Sequence, residues 1–228
     1  MIWAFLTLIL VGIIFGPQWW ARQILSQHGH RRADIPQSGS EFANALIRHV
    51  DLAQVGVELA TPNQDHFDPI ANRVRLSPNI YEENSLTAIV VAAHEVGHAI
   101  QHASNYWPLK MRTNLVGFAT NLEKASSVIL IAAPFAGLLT RNPRLPIFMT
   151  VFMVGSMLAS TLIHLITLPV EFDASFKRAM PYLRDVKYLT ESDIQAAKKI
   201  LWACALTYVA RSLATLLNVW RWLRVLRR

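Results

Sequence analysis

His94-Glu95-Val96-Gly97-His98 places two imidazoles four residues apart with a carboxylate beside the first of them. The surrounding run, from Ser85 through Leu86, Ile89, Val90 and Val91 to His102, reads as a helix. On an α-helix, positions four apart differ by about 40° in azimuth and one turn in height, so His94 and His98 aim at a common point. Two such histidines suit zinc. Glu95 is then placed to take the proton of a water that the metal activates, the pattern of an HExxH metallopeptidase. Burying three polar side chains among Val90, Val91, Ala92 and Ala93 costs on the order of several kcal/mol unless something pairs them.

A catalytic zinc normally has three protein ligands and keeps a fourth position for water. His102 continues the ridge of His94 and His98 but lies about 12 Å along the axis from His94, too far to share one ion. It is expected at the solvent side or in support of a ligand. The helix shows no glycine break after His98, so the third ligand is sought elsewhere. Glu171, in Leu168-Pro169-Val170-Glu171-Phe172-Asp173-Ala174-Ser175, follows two long apolar segments that form a hairpin and return the chain to the side it left. Pro169 suits the first turn of a new helix that presents Glu171. Asp173 is the rival ligand, about 200° away on the same helix, and Glu123 is another.

The elements that must hold these residues come from an apolar chain. Of 228 residues 53% are hydrophobic and 16% charged, against about 25% charged in an ordinary soluble domain. Residues 1–21 carry no charge and end near Trp19 and Trp20, residues 145–170 are uncharged for 26 positions, and 125–140 for 16. The expected organisation is a transmembrane helix over 1–21 and an HExxH catalytic region over 22–114. Transmembrane helices over 115–140 and 145–169 follow, then a glutamate-ligand region over 170–198 and a transmembrane or interfacial helix over 200–220. Arg141, Asn142, Pro143 and Arg144 form the turn of the hairpin. The single cysteine, Cys204, excludes an intrachain disulfide, and the net charge of +7 points to anionic lipid rather than nucleic acid.

Within 22–114, the spacing of Phe42, Ala45, Leu46 and Val50 predicts an amphipathic helix over 40–51. Alternation predicts short strands over 56–61 and 72–77, with 63–68 between them. The second strand is the expected edge strand, open to an extended substrate. Asn84 and Ser85 are positioned to cap the metal helix, and 27–40 reads as a loop.

The segments Asp65-His66-Phe67-Asp68-Pro69, Arg73 to Pro78, Ala92 to Gln101 and Leu168 to Ser175 together resemble the YugP-type membrane zinc metallopeptidases of bacteria, and the resemblance covers nearly the whole chain. That family is similar in outline to the HtpX and CAAX prenyl proteases. The resemblance implies zinc held by His94, His98 and Glu171, with Glu95 catalytic. In those relatives an aspartate commonly stands four residues after the ligand glutamate; here Ser175 stands there, and Asp173 is the candidate to orient a ligand. His66 and Tyr106 are candidate donors to the oxyanion.

The expected fold class is mainly α and integral to the membrane, a helical zincin-like catalytic domain with a short β element and three to four transmembrane helices. The expected function is hydrolysis of peptide bonds in membrane or membrane-proximal proteins, with Glu95 as general base. The location is the bacterial cell membrane, multi-pass, with the catalytic side facing the cytoplasm. The alternative is a membrane zinc scaffold without turnover, and a transporter built around His164 is a weaker third reading.

Overall fold

The computed structural model describes residues 2–140 and 144–206. The described chain is mainly helical with one small sheet. Helix α1 spans Ile2–Gln27, α2 Gly39–His49, α3 Pro78–Tyr81, α4 Leu86–Ala103, α5 Trp107–Thr140 and α6 Arg144–Ile166. Strands β1 (Gly56–Leu59), β2 (His66–Asp68) and β3 (Arg73–Leu76) lie between α2 and α3. After α6 come α7 (Leu168–Phe172), a π-helix (Asp173–Ala179) and α8 (Met180–Arg184). A helix over 191–206, here α9, ends the described chain.

The described residues divide into two units, one of 2–15 and 111–167, the other of 16–110 and 168–206. The second contains HExxH and Glu171. Its core joins Phe42, Leu46 and Ile47 of α2, Val74 and Leu76 of β3, Ile89, Val90 and Val96 of α4, Leu183 of α8, and Ile200 and Leu201 of α9. Helix α2 begins with a capping box in which Ser38 accepts from the Glu41 amide while Glu41 accepts from the Ser38 amide. The predicted helix over 40–51 is therefore present, starting one residue earlier and ending two residues earlier.

In the sheet the order is β1-β3-β2, with β1 parallel and β2 antiparallel to β3. The expected edge strand over 72–77 is instead the central one, paired on both sides. Its register explains why: Val74 and Leu76 point into the core while Arg73 and Arg75 face Glu58 and Asp68. An alternation that is buried on one face and ion-paired on the other fits a strand with two neighbours. The second neighbour, β2, is three residues long and leaves little alternation to read.

Among the described residues, no helix is long and apolar enough to cross a membrane. The expected integral membrane class, with three to four transmembrane helices, is thus corrected to a mainly helical protein with a small sheet. Absence of charge is not apolarity. Helix α1 carries Pro17 and Gln18, α6 carries Thr150, Ser156 and Ser160, and the uncharged end of α5 is 16 residues long. About 20 predominantly apolar residues are needed to span the hydrocarbon core. In their own unit α5 and α6 meet through polar contacts: Ser126 is hydrogen-bonded to Ser156, and both are buried. The expected turn at Arg141, Asn142 and Pro143, and 207–220 of the last predicted segment, lie outside the described residues.

Candidate metal centre

Helix α4 starts where the sequence provides a cap, with Ser85 Oγ accepting from the Ala88 amide at 3.1 Å. Its first turn is tied to the end of α1: Thr87 Oγ1 donates to the Leu25 carbonyl at 2.8 Å and the Thr87 amide to the His28 carbonyl at 3.1 Å. Every residue from Leu86 to Ala99 is buried. A helix apolar on nearly all sides belongs inside a core, and here that core encloses His94, Glu95 and His98, which are 3%, 7% and 5% exposed.

The stretch from Leu168 to Arg184 crosses α4 at Gly97. A Cβ built on Gly97 would stand 2.6 Å from the Ala174 carbonyl oxygen, so only glycine lets the two backbones approach this closely. The approach brings in Glu171, which is fully buried with its Oε2 3.4 Å from His94 Nε2 and 3.3 Å from His98 Nε2. The π-helix begins two residues later. Wider winding of this kind recurs at functional sites; Val170 and Glu171 just before it and Asp173, Ala174 and Ser175 within it are all buried.

Both rings are held through Nδ1. His94 Nδ1 is hydrogen-bonded to Ser175 Oγ at 3.0 Å, and His98 Nδ1 donates to Gln101 Oε1 at 3.0 Å. Both Nε2 atoms face Glu171. Among the described residues, the buried His98 Nε2 finds no hydrogen-bond partner, an expensive state unless a cation takes up the lone pair. The ligand atoms of His94, His98 and Glu171 all lie within 4.8 Å of one another. Tetrahedral zinc with bonds of about 2.0–2.1 Å sets its ligand atoms about 3.3–3.4 Å apart, the spacing seen here between each imidazole and the carboxylate. Two neutral imidazoles and one carboxylate also make up a three-ligand catalytic set. The residues fit zinc.

The remaining candidates fall around this cluster. Asp173 stands one bond further out, with its Oδ2 accepting from Gln101 Nε2 at 2.8 Å and from Arg178 Nε at 3.2 Å. Tyr106 lies under the Arg178 guanidinium, 5.9 Å from ring centre to Cζ. Burial, with some help from Asp173, pushes its hydroxyl above the usual range, so it remains a protonated donor. His66 spends Nδ1 on the Gln64 carbonyl at 2.8 Å on β2. His102 packs its ring on Phe67 at 5.6 Å, away from the ligands. The Glu123 and His164 side chains lie outside the described residues. Cys204 of α9 is near enough that, after burial, the charges of Glu95 and Glu171 raise its thiol furthest; a protonated thiol is neither ligand nor nucleophile.

Two participants escaped the sequence reading. Gln101 looked like mere continuation of the helix, although it sits three residues from His98 on the same face. Ser175 stood out only as a departure from the aspartate of similar proteins, and it bonds directly to His94.

Comparison with known proteins agrees with this geometry. No solved structure matches the chain. A protein of Bacillus subtilis (strain 168), named "Putative membrane protease YugP", is 32% identical over 228 residues, covering 99% of this chain and 96% of that protein. Residues 3–227 match the family described as "Putative neutral zinc metallopeptidase". With that match across almost its full length, and with a zinc-type ligand set at its centre, the chain belongs to this family of zinc metallopeptidases.

Proposed function

We propose that the protein hydrolyses peptide bonds, with zinc held by His94, His98 and Glu171 and with Glu95 as general base. The observation that carries this reading is the meeting of Glu171 with two imidazoles that stand more than 70 residues earlier in the chain. Bound zinc supplies a Lewis acid that lowers the pKa of water to about 7 and polarises a carbonyl. Gln101 keeps the His98 ring as the Nδ1–H tautomer, and the Ser175 hydroxyl can accept from His94 Nδ1–H, so that both Nε2 atoms are available to the metal. Glu95, on the same rigid helix, accepts the proton of the attacking water and passes it to the departing amine. Arg178 and Lys177 pair with Asp173, at 3.2 and 3.9 Å.

An extended substrate is expected on the outer edge of β2, since β3 is paired on both sides. Phe67 of β2 touches His102 of the metal helix, so this edge lies along the helix that bears the site. Substrates are membrane proteins or membrane-proximal segments, a reading supported by the name of the Bacillus relative. Large apolar side chains on α5 and α6 also face outward, among them Phe135, Leu139, Phe148 and Val151, each more than 60% exposed. Such faces rest against lipid more readily than against water.

The test is cleavage of a quenched fluorescent peptide library by zinc-loaded wild type and by Glu95→Gln. Cleavage by the wild type that is lost in a variant still holding zinc supports the mechanism. Equal cleavage by both would refute it.

A further inference from the structure

We propose that Gln101 is a positioning residue that locks the two halves of the metal site to each other. The inference rests on the reading that His94, His98 and Glu171 hold zinc. Gln101 is fully buried. Its Oε1 accepts from His98 Nδ1 at 3.0 Å, and its Nε2 donates to the Val170 carbonyl at 2.9 Å and to Asp173 Oδ2 at 2.8 Å. Val170 immediately precedes Glu171. One side chain therefore grips a ligand ring on α4 and the backbone that delivers the carboxylate from α7.

The amide has two N–H donors, and both are used; its carbonyl faces the one ring nitrogen that must donate. Rotating the amide by half a turn would set NH₂ against the His98 Nδ1–H and a carbonyl against both the Val170 carbonyl and the Asp173 carboxylate. Three repulsive contacts forbid that state. Asp173 enforces the choice from outside, and its own carboxylate is held by Arg178 Nε at 3.2 Å. The chain of bonds runs Arg178, Asp173, Gln101, His98, so a charge at the surface end fixes the tautomer at the metal end. The two ligand rings are served differently. His94 has only the hydroxyl of Ser175, which can rotate, whereas His98 has a carboxamide with a single allowed orientation.

Removing outer partners of metal ligands typically weakens metal binding about 10–100-fold. Gln101→Met keeps the volume and removes both polar ends. The experiment measures the zinc affinity of the full-length protein by chelator competition, together with the exchangeable, paramagnetically shifted imidazole N–H signals of the cobalt(II)-loaded protein. The wild type is expected to show two slowly exchanging signals, from His94 and His98. Gln101→Met is expected to bind zinc about 10–100-fold more weakly and to lose the His98 signal to fast exchange while retaining that of His94. Gln101→Glu restores an acceptor for His98 but not the donor to Val170, so its signal returns while affinity stays low; it carries the test should the methionine variant not fold. A general loss of packing would move neither signal selectively. A Gln101→Met protein with both signals and wild-type affinity overturns the inference while leaving the metal site intact. A wild type that binds neither zinc nor cobalt overturns the underlying reading, and this inference with it.

Discussion

Helix α4 and the stretch from Leu168 to Arg184 supply one site by different means. Helix α4 sets His94 and His98 by plain α-helical repetition, begins at its own serine cap and is buried from Leu86 to Ala99. The other stretch presents Glu171 from a short α-helix that passes into a π-helix, and its direction is decided by what it touches: Gly97, Gln101, and the ring of Trp202, which meets Phe172 at 4.9 Å and Phe176 at 5.7 Å. Two ligands encoded within one helix need only that helix to form. A third ligand carried by an irregular segment needs the tertiary fold.

The sharpest way to break this contrast is Glu171→Ala. The zinc affinity of the purified variant should fall by more than the roughly 100-fold upper range for loss of an outer partner, with helix content unchanged by circular dichroism. Undiminished zinc would mean that the irregular segment is not part of the shell. Next comes Glu95→Gln, which changes only the regular helix: the rate should drop about 10²–10⁴-fold at unchanged zinc occupancy.

Gly97→Ala strikes the crossing itself. Its new methyl meets the Ala174 carbonyl, and overpacking of this kind costs about 1–3 kcal/mol, read as a lower denaturation midpoint together with weaker zinc binding. A variant as stable as wild type would show that the two backbones can part without cost.

The support of α9 can be tested by acid. Arg32, first of all, together with the Thr190 amide and hydroxyl, holds the Asp193 carboxyl at a pKa of about 2, below its unfolded value of about 3.9. A depressed folded pKa stabilises the fold above pH 4 and loses that contribution as pH falls through 2, in all about 2 kcal/mol. Metal-free protein should therefore unfold more easily along this range, and Asp193→Asn should flatten the slope. The smallest effect belongs to Ser175→Ala, which leaves His94 without its acceptor and should weaken zinc about tenfold, the low end for such partners.

The same contrast explains what could be read in advance. The Ser85 cap, the extent of α4 and the HExxH pair are local, and their signals lie within a few residues of one another. Glu171 was reached by counting membrane crossings, a premise that the described helices do not support, and by family resemblance; the π-helix leaves no local sign, because bonds of i to i+5 spacing ask for no special residue. Gln101 was misread for a related reason: its three partners sit at positions 98, 170 and 173, and only the first is near in sequence. Membrane-spanning helices were inferred from missing charge, and an uncharged window is not by itself a run of about 20 predominantly apolar residues. The strand over 72–77 was recognised but taken for an edge strand, since pairing partners are not written into a four-residue strand.

The meeting of Gly97 with the Ala174 carbonyl bears on which variants of this chain can exist at all. The two middle positions of HExxH are usually treated as free. In this protein Val96 is closed in by core contacts that tolerate side chains of similar volume, while at Gly97 even one methyl group collides with backbone. A library randomised at both sites and selected for function should therefore return aliphatic variety at the first and glycine alone at the second. The effective signature of this chain is His-Glu-x-Gly-His followed three residues later by glutamine.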